Sequence, residues 1–162
     1  MAIKVGDKLP QATFRRFGAD GMVEIPSASV FDGKTVALFA VPGAYTPTCS
    51  DDHLPSYVKH ADDLRAKGVD EIACVAVNDA FVLKAWGESN GVADKVRLLS
   101  DGNGEFTKAI GMELDASGFG LGTRSHRYAM LVKDGTVEAL FVEENPTMVE
   151  VSGADKILAQ LS

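Results

Sequence analysis

The chain has 162 residues, 46% of them apolar and 24% charged, and a formal net charge of −7. That length reads as one domain, residues 1–162, large enough to bury a substantial core. The acidic balance argues against a nucleic acid or an anionic membrane surface as partner, and no apolar run approaches the ~20 residues of a membrane span. The start, Met1-Ala2-Ile3-Lys4-Val5-Gly6-Asp7, lacks the apolar core of a signal peptide, so a cytoplasmic protein is expected. Cys49 and Cys74 are the only cysteines, which suits a reducing compartment and thiol chemistry better than a structural disulfide.

Residues 1–10 read as an edge strand or extended arm. Residues 12–17 and 21–25 flank Gly18-Ala19-Asp20-Gly21 and predict a hairpin. Residues 27–33 are a short polar connection anchored by Val30 and Phe31, and residues 34–41 predict a buried strand. That strand leads into Pro42-Gly43-Ala44-Tyr45-Thr46-Pro47-Thr48-Cys49, after which Leu54, Tyr57, Val58, Ala61 and Leu64 recur at helical spacing. A tight Pro/Gly loop therefore delivers one cysteine to the start of a helix. Thr48 is the expected cap, with Asp51 as the acidic half of a capping box. Pro55 should kink the helix, and Lys67-Gly68 should end it.

Residues 71–78 are nearly all apolar, as in a strand buried on both faces of a parallel sheet. Asp79 can cap the next helix, with Phe81, Val82, Ala85 and Trp86 inward and residues 87–91 ending it. A short strand over 96–99, a helix over 105–110 and a Gly-rich loop over 115–122 follow. Strands at 128–132 and 137–142 are joined by Asp134-Gly135, a strong hairpin signal. A last helix over 153–161 turns Ile157, Leu158 and Leu161 inward. Alternating β and α elements predict an α/β protein. Its plan is a three-layer thioredoxin-like fold with an N-terminal β-hairpin, inserted elements and a mixed sheet closed by the C-terminal antiparallel pair. Cys49 then lies at the carboxyl end of a strand, where open α/β sheets carry their sites.

The first turn of a helix offers Cys49 unpaired backbone N–H groups and the positive end of the dipole, and both favour thiolate over thiol. No second cysteine makes a Cys-x-x-Cys pair with it, which disfavours a dithiol oxidoreductase. His53 lies one turn on, but an i,i+4 Cys/His pair alone is a weak metal signal and no histidine pair has ligand spacing with Cys74, so no metal site is expected. A structural hydrogen-bonding role for His53 is the expectation.

Pro42-x-x-x-Thr46-x-x-Cys49 resembles the peroxidatic-cysteine motif of the peroxiredoxins. The wording around it, with His53-Leu54-Pro55, is similar to the peroxiredoxin-5 and plant type II subfamily. So are Val75-Ala76-Val77-Asn78-Asp79 and the run from Gly120-Leu121-Gly122 through Thr123-Arg124-Ser125-His126-Arg127 to Tyr128-Ala129. The resemblance spans nearly the whole chain. It implies a thiol peroxidase that reduces hydrogen peroxide and small alkyl hydroperoxides through a sulfenic acid on Cys49, without cofactor or metal. Thr46 and Arg127 would activate and orient the peroxide. Pro42 and the backbone of Thr48 would shape the pocket, with Phe119 and Leu121 as an apolar rim.

Cys74 is a possible resolving cysteine by the same resemblance, although its strand setting reads as buried and unreactive. The further cysteine that animal peroxiredoxin-5 uses for resolution has no counterpart in residues 147–152. Regeneration by glutathione with glutaredoxin, or by thioredoxin, is therefore expected, as is a homodimer. A thiol–disulfide oxidoreductase and a redox-sensing or holdase protein using Cys49 are the rival readings.

Overall fold

A computed structural model describes residues 2–92 and 94–161. The described residues form nine strands and six α-helices. The hairpin β1 (Thr13–Gly18) and β2 (Gly21–Pro26) leads through α1 (Ser27–Phe31) to β3 (Thr35–Val41). A π-helical turn, Cys49–His53, runs directly into α2 (Leu54–Lys59) and α3 (Ala61–Ala66). Then come β4 (Glu71–Ala76), α4 (Ala80–Ser89), β5 (Arg97–Ser100) and α5 (Glu105–Ala109). The small strands β6 (Glu113–Asp115) and β7 (Thr123–Ser125) bracket a 3-10 turn, and β8 (Tyr128–Lys133), β9 (Thr136–Val142) and α6 (Ala154–Gln160) close the chain.

Seven strands form one mixed sheet in the order β2-β1-β5-β4-β3-β8-β9, parallel through β3, β4 and β5 and antiparallel at β8 and β9. This is the expected thioredoxin-like α/β plan. Every residue of β3 from Val36 to Val41 is buried, because helices cover both faces. Ala37, Phe39 and Val41 face the layer of α2, α3, α4 and α6, while Val36, Leu38 and Ala40 face α1 and α5. An apolar run without alternation is the pattern such a central strand needs. Asp134 and Gly135 both have positive φ, 47° and 76°, as a two-residue hairpin turn between twisted strands requires.

Two local expectations are corrected. The helix after β3 begins at Pro47, and Thr48 is already helical with no capping bond from its side chain, so the Thr48–Asp51 box does not form. Proline is pre-organised for a first helical position and lacks the N–H a cap would satisfy, which moves the start upstream. The helix widens directly before Pro55, where the Leu54 N–H reaches the Cys49 carbonyl, and a second interruption falls at His60. In α4 the buried face is Ala80, Leu83, Trp86 and Gly87, whereas Phe81 is 57% exposed and packs at a tilt against Phe17 of the edge hairpin. Asp79 does cap α4, accepting from the Val82 N–H at 2.8 Å.

Candidate active site

The loop after β3 is held by its own backbone and by β4. Asn78, just beyond β4, accepts the Ala44 N–H at 2.9 Å, and the Thr46 hydroxyl lies 2.7 Å from the Gly43 carbonyl. A Cβ on Gly43 would sit 3.1 Å from the Thr46 methyl and 3.2 Å from Arg124 Nη1, so this close approach depends on glycine. Tyr45 takes a left-handed conformation, φ 68°, that costs a non-glycine residue about 1–3 kcal/mol. The strain is held in place by these bonds, and it turns Thr46 back over the helix start.

Cys49 is fully buried in the first turn. Its Sγ accepts from Thr46 Oγ1 at 2.9 Å and from Arg127 Nη2 at 2.9 Å. Arg127, at the entry to β8, is itself 1% exposed, and its three nitrogens each have a separate task. Nε donates to the Pro146 carbonyl at 2.9 Å, Nη1 reaches His53 Nδ1 at 2.8 Å, and Nη2 reaches the sulfur. A guanidinium has only donors, so His53 Nδ1 must accept and its proton resides on Nε2, which faces the Ser152 carbonyl at 3.0 Å. Burial first, and the Arg127 charge second, lower the His53 pKa to about 3, against the raising effect of the Ser152 bond. His53 is thus a neutral strut, packed on Phe39 and Tyr57, that sets the plane of the guanidinium.

The remaining expected residues lie around this trio. Pro42 is buried at the end of β3. Thr48 spends its hydroxyl on the Thr147 carbonyl at 2.6 Å, which leaves only its backbone for a ligand. Leu121 is half-buried, and its carbonyl holds Arg124 Nε at 3.0 Å, so the Gly-rich loop reaches the mouth through Arg124. Phe119 stands 82% exposed at the 3-10 turn and closes nothing over the thiol within one chain. Cys74 is buried in β4 beside Phe39, both cysteines are free, and burial pushes the Cys74 thiol well up, with Cys49 adding to the effect. Among the described residues no group of three or more His, Cys, Asp or Glu side chains could hold a metal ion.

Sequence reasoning did not single out Asn78, Ser152, Pro146 or Glu143. Asn78 could have been suspected from its place at the carboxyl end of a central strand. The other three bond to the site through folding of a loop that has no local signature.

A sulfur gripped by a hydroxyl and a buried guanidinium, at a strand–helix junction of this fold, is the arrangement of a thiol-based redox enzyme. The family model described as Redoxin matches residues 4–158, and the chain belongs to that family. Within it the chain is a peroxiredoxin of the type II, peroxiredoxin-5 kind, a thiol-dependent peroxidase that takes a peroxide as substrate and a thioredoxin-type reductant. It is 52% identical to the chloroplastic peroxiredoxin-2E-2 of Oryza sativa subsp. japonica, over 98% of this chain and 72% of that protein. To the chloroplastic peroxiredoxin-2E of Arabidopsis thaliana it is 49% identical, over 98% of this chain and 69% of that protein. Reduced Prx3 from Vibrio vulnificus, solved in complex with hydrogen peroxide, superposes with a TM-score of 0.93 at 53% identity and 99% coverage of both chains.

The two plant relatives overturn the cytoplasmic expectation, since both of those proteins are chloroplastic. An acidic domain with few cysteines is equally at home in either compartment. Its composition carries no address.

Proposed function

We propose that Cys49 is the peroxidatic nucleophile and that Thr46 and Arg127 activate and orient the peroxide. The two hydrogen bonds of 2.9 Å converging on one buried sulfur carry this reading. Both donors address the sulfur as an acceptor, the role a thiolate fills best. Thr46 is the half-buried member of the trio, and the peroxide reaches the sulfur past it. The sulfur attacks one oxygen in line with the O–O bond. An S–O bond forms, the O–O bond breaks, and the second oxygen leaves with the electron pair as hydroxide or alkoxide, to be protonated.

The Thr46 hydroxyl has one proton and two acceptors within reach, Gly43 O at 2.7 Å and the sulfur. Before substrate arrives the proton points at the sulfur; swung to Gly43, it frees a lone pair for the peroxide proton, and turned back it donates to the developing anion. Arg127 supplies fixed positive charge on the other side, and Pro42 keeps bulk water away. Hydrogen peroxide and small alkyl hydroperoxides are the substrates that fit so enclosed a sulfur.

The product is a sulfenic acid on Cys49. An external thiol then displaces water from it to give a mixed disulfide, and a second thiol releases Cys49 reduced. Glutathione with glutaredoxin, or thioredoxin, serves as that thiol. Resolution by an external thiol is favoured over Cys74, which is buried in β4 with its thiol pushed up by that burial in the folded chain. The protein works as a homodimer, with exposed Tyr45, Phe119 and Met148 at the contact.

Stopped-flow mixing of reduced protein with one equivalent of hydrogen peroxide, with dimedone trapping of the sulfenic acid, tests the core of this reading. Cys49→Ser should abolish the reaction, and Cys74→Ser should leave glutaredoxin-supported turnover largely intact. A wild-type rate no faster than that of free cysteine would overturn the assignment of Cys49, and a large loss in Cys74→Ser would overturn the external resolving step.

A further inference from the structure

Glu143, the first residue beyond β9, is 4% exposed and belongs to none of the steps above. Its Oε2 gathers four donors: the N–H groups of Glu150 and Val151 at 2.9 Å each, the N–H of Ser152 at 2.8 Å and the Ser152 hydroxyl at 2.6 Å. Three successive N–H groups curled around one carboxylate oxygen form an anion nest, here filled by the chain's own side chain. The same residue continues the β8–β9 ladder, its N–H donating to the Arg127 carbonyl at 2.9 Å.

The loop folded in this way delivers three carbonyls, each to the neighbourhood of the sulfur. Pro146 takes Arg127 Nε, and Thr147 takes the Thr48 hydroxyl. Ser152 takes both His53 Nε2 and the Tyr57 hydroxyl, the latter at 2.8 Å. Burying a carboxylate is costly unless hydrogen bonds replace its lost hydration.

We propose that Glu143 is a positioning residue for Arg127. Its carboxylate shapes residues 145–152 into the clamp that fixes Nε directly and Nη1 through His53, leaving Nη2 aimed at the Cys49 sulfur. Without that anchor the guanidinium keeps its charge but loses its direction. A misplacement of about 1 Å at a reacting centre can cost on the order of a hundredfold in rate.

The inference rests on the peroxidase reading of Cys49 and Arg127, so the test includes Arg127→Gln alone. Cys49 oxidation by hydrogen peroxide is timed by stopped flow, beside alkylation by iodoacetamide, which needs the sulfur but no aligned guanidinium. Glu143→Ala should slow oxidation roughly ten- to hundredfold more than alkylation. Glu143→Gln keeps an acceptor oxygen and should recover to within about fivefold of wild type. In the Arg127→Gln background, Glu143→Ala should add less than about a twofold loss, since both changes remove one interaction.

Additive losses in the double variant, or a wild-type rate in Glu143→Ala, overturn the proposal. If Glu143→Ala does not fold, Ser152→Ala removes one of the four donors and should slow oxidation roughly two- to fivefold, again only while Arg127 is present. An equal slowing in both backgrounds overturns it. A wild-type rate in Arg127→Gln sinks the catalytic reading and this inference with it. A slow Arg127→Gln beside a fast Glu143→Ala sinks the inference alone.

Discussion

At the scale of single residues, His53 makes its neighbourhood measurable by pH. Its value in the folded chain is lowered to about 3, by burial first and Arg127 second, whereas an unfolded histidine titrates near ~6.5. The unfolded chain therefore takes up the proton first as the solution is acidified. The stabilising contribution is complete above about pH 6.5 and is lost progressively as the pH falls towards 3, with a slope of roughly 1 kcal/mol per pH unit. Urea unfolding at stepped pH should show this slope in wild type, and His53→Gln should remove one proton's worth of it. A slope unchanged by that substitution would mean that His53 is not held neutral by the site. The role of a lone histidine one turn after a cysteine could be expected from sequence only as a hydrogen-bonding residue. Its partner, Arg127, lies 74 positions away and is chosen by packing.

At the scale of elements, the turn that carries Cys49 is tied to α4 by one hydrogen bond, Trp86 Nε1 to Ser50 Oγ at 2.9 Å. Trp86 is fully buried, so an indole N–H deprived of this acceptor has no water to turn to. Ser50→Ala should destabilise the chain by about 1–3 kcal/mol, the usual cost of a buried unsatisfied donor. Adding Trp86→His or Trp86→Phe tests the pair as a cycle: the Ser50→Ala penalty should shrink once the indole is gone. Equal penalties in both backgrounds, measured by chemical unfolding, would show that the bond carries no stability. The inner face of α4 shows why such a contact escapes a reading of periodicity. Phe81, Val82, Ala85 and Trp86 form one plausible apolar stripe, yet the chain buries Ala80, Leu83, Trp86 and Gly87. Helical spacing fixes the period of a face, and only the neighbours fix its phase. Here Phe17 draws Phe81 to the outside, while Gly87 lets Leu98 pack where a Cβ would come within 2.7 Å of it.

At the scale of the whole molecule, three of the exposed apolar side chains sit on segments tied to the mouth of the site. Tyr45 (52% exposed) rides on the Cys49 loop, and Met148 (44%) follows Thr147, which bonds Thr48. Phe119 shares a loop with Leu121, whose carbonyl holds the Arg124 that lies over Gly43. Three segments tied to one mouth each present a large apolar group to solvent, the mark of a contact surface. Sedimentation of the wild type should report a dimer, and Phe119→Asp should shift it to monomer at micromolar concentration, with the rate of Cys49 oxidation measured alongside. A monomeric wild type would remove the dimer from the account without touching the chemistry at the sulfur.

The sequence by itself determined the α/β plan, the buried central strands, the Asp134-Gly135 turn and the delivery of Cys49 to a helix start. Each of these is written in neighbours a few residues apart, through hydrophobic period and turn chemistry. The tertiary structure decided the π-helical turn, the left-handed Tyr45, the neutral tautomer of His53 and the Glu143 nest. Those depend on which buried donor meets which acceptor across 74, 78 or 99 positions of chain. Desolvation makes such pairings obligatory once the layers close, and no local spacing specifies them.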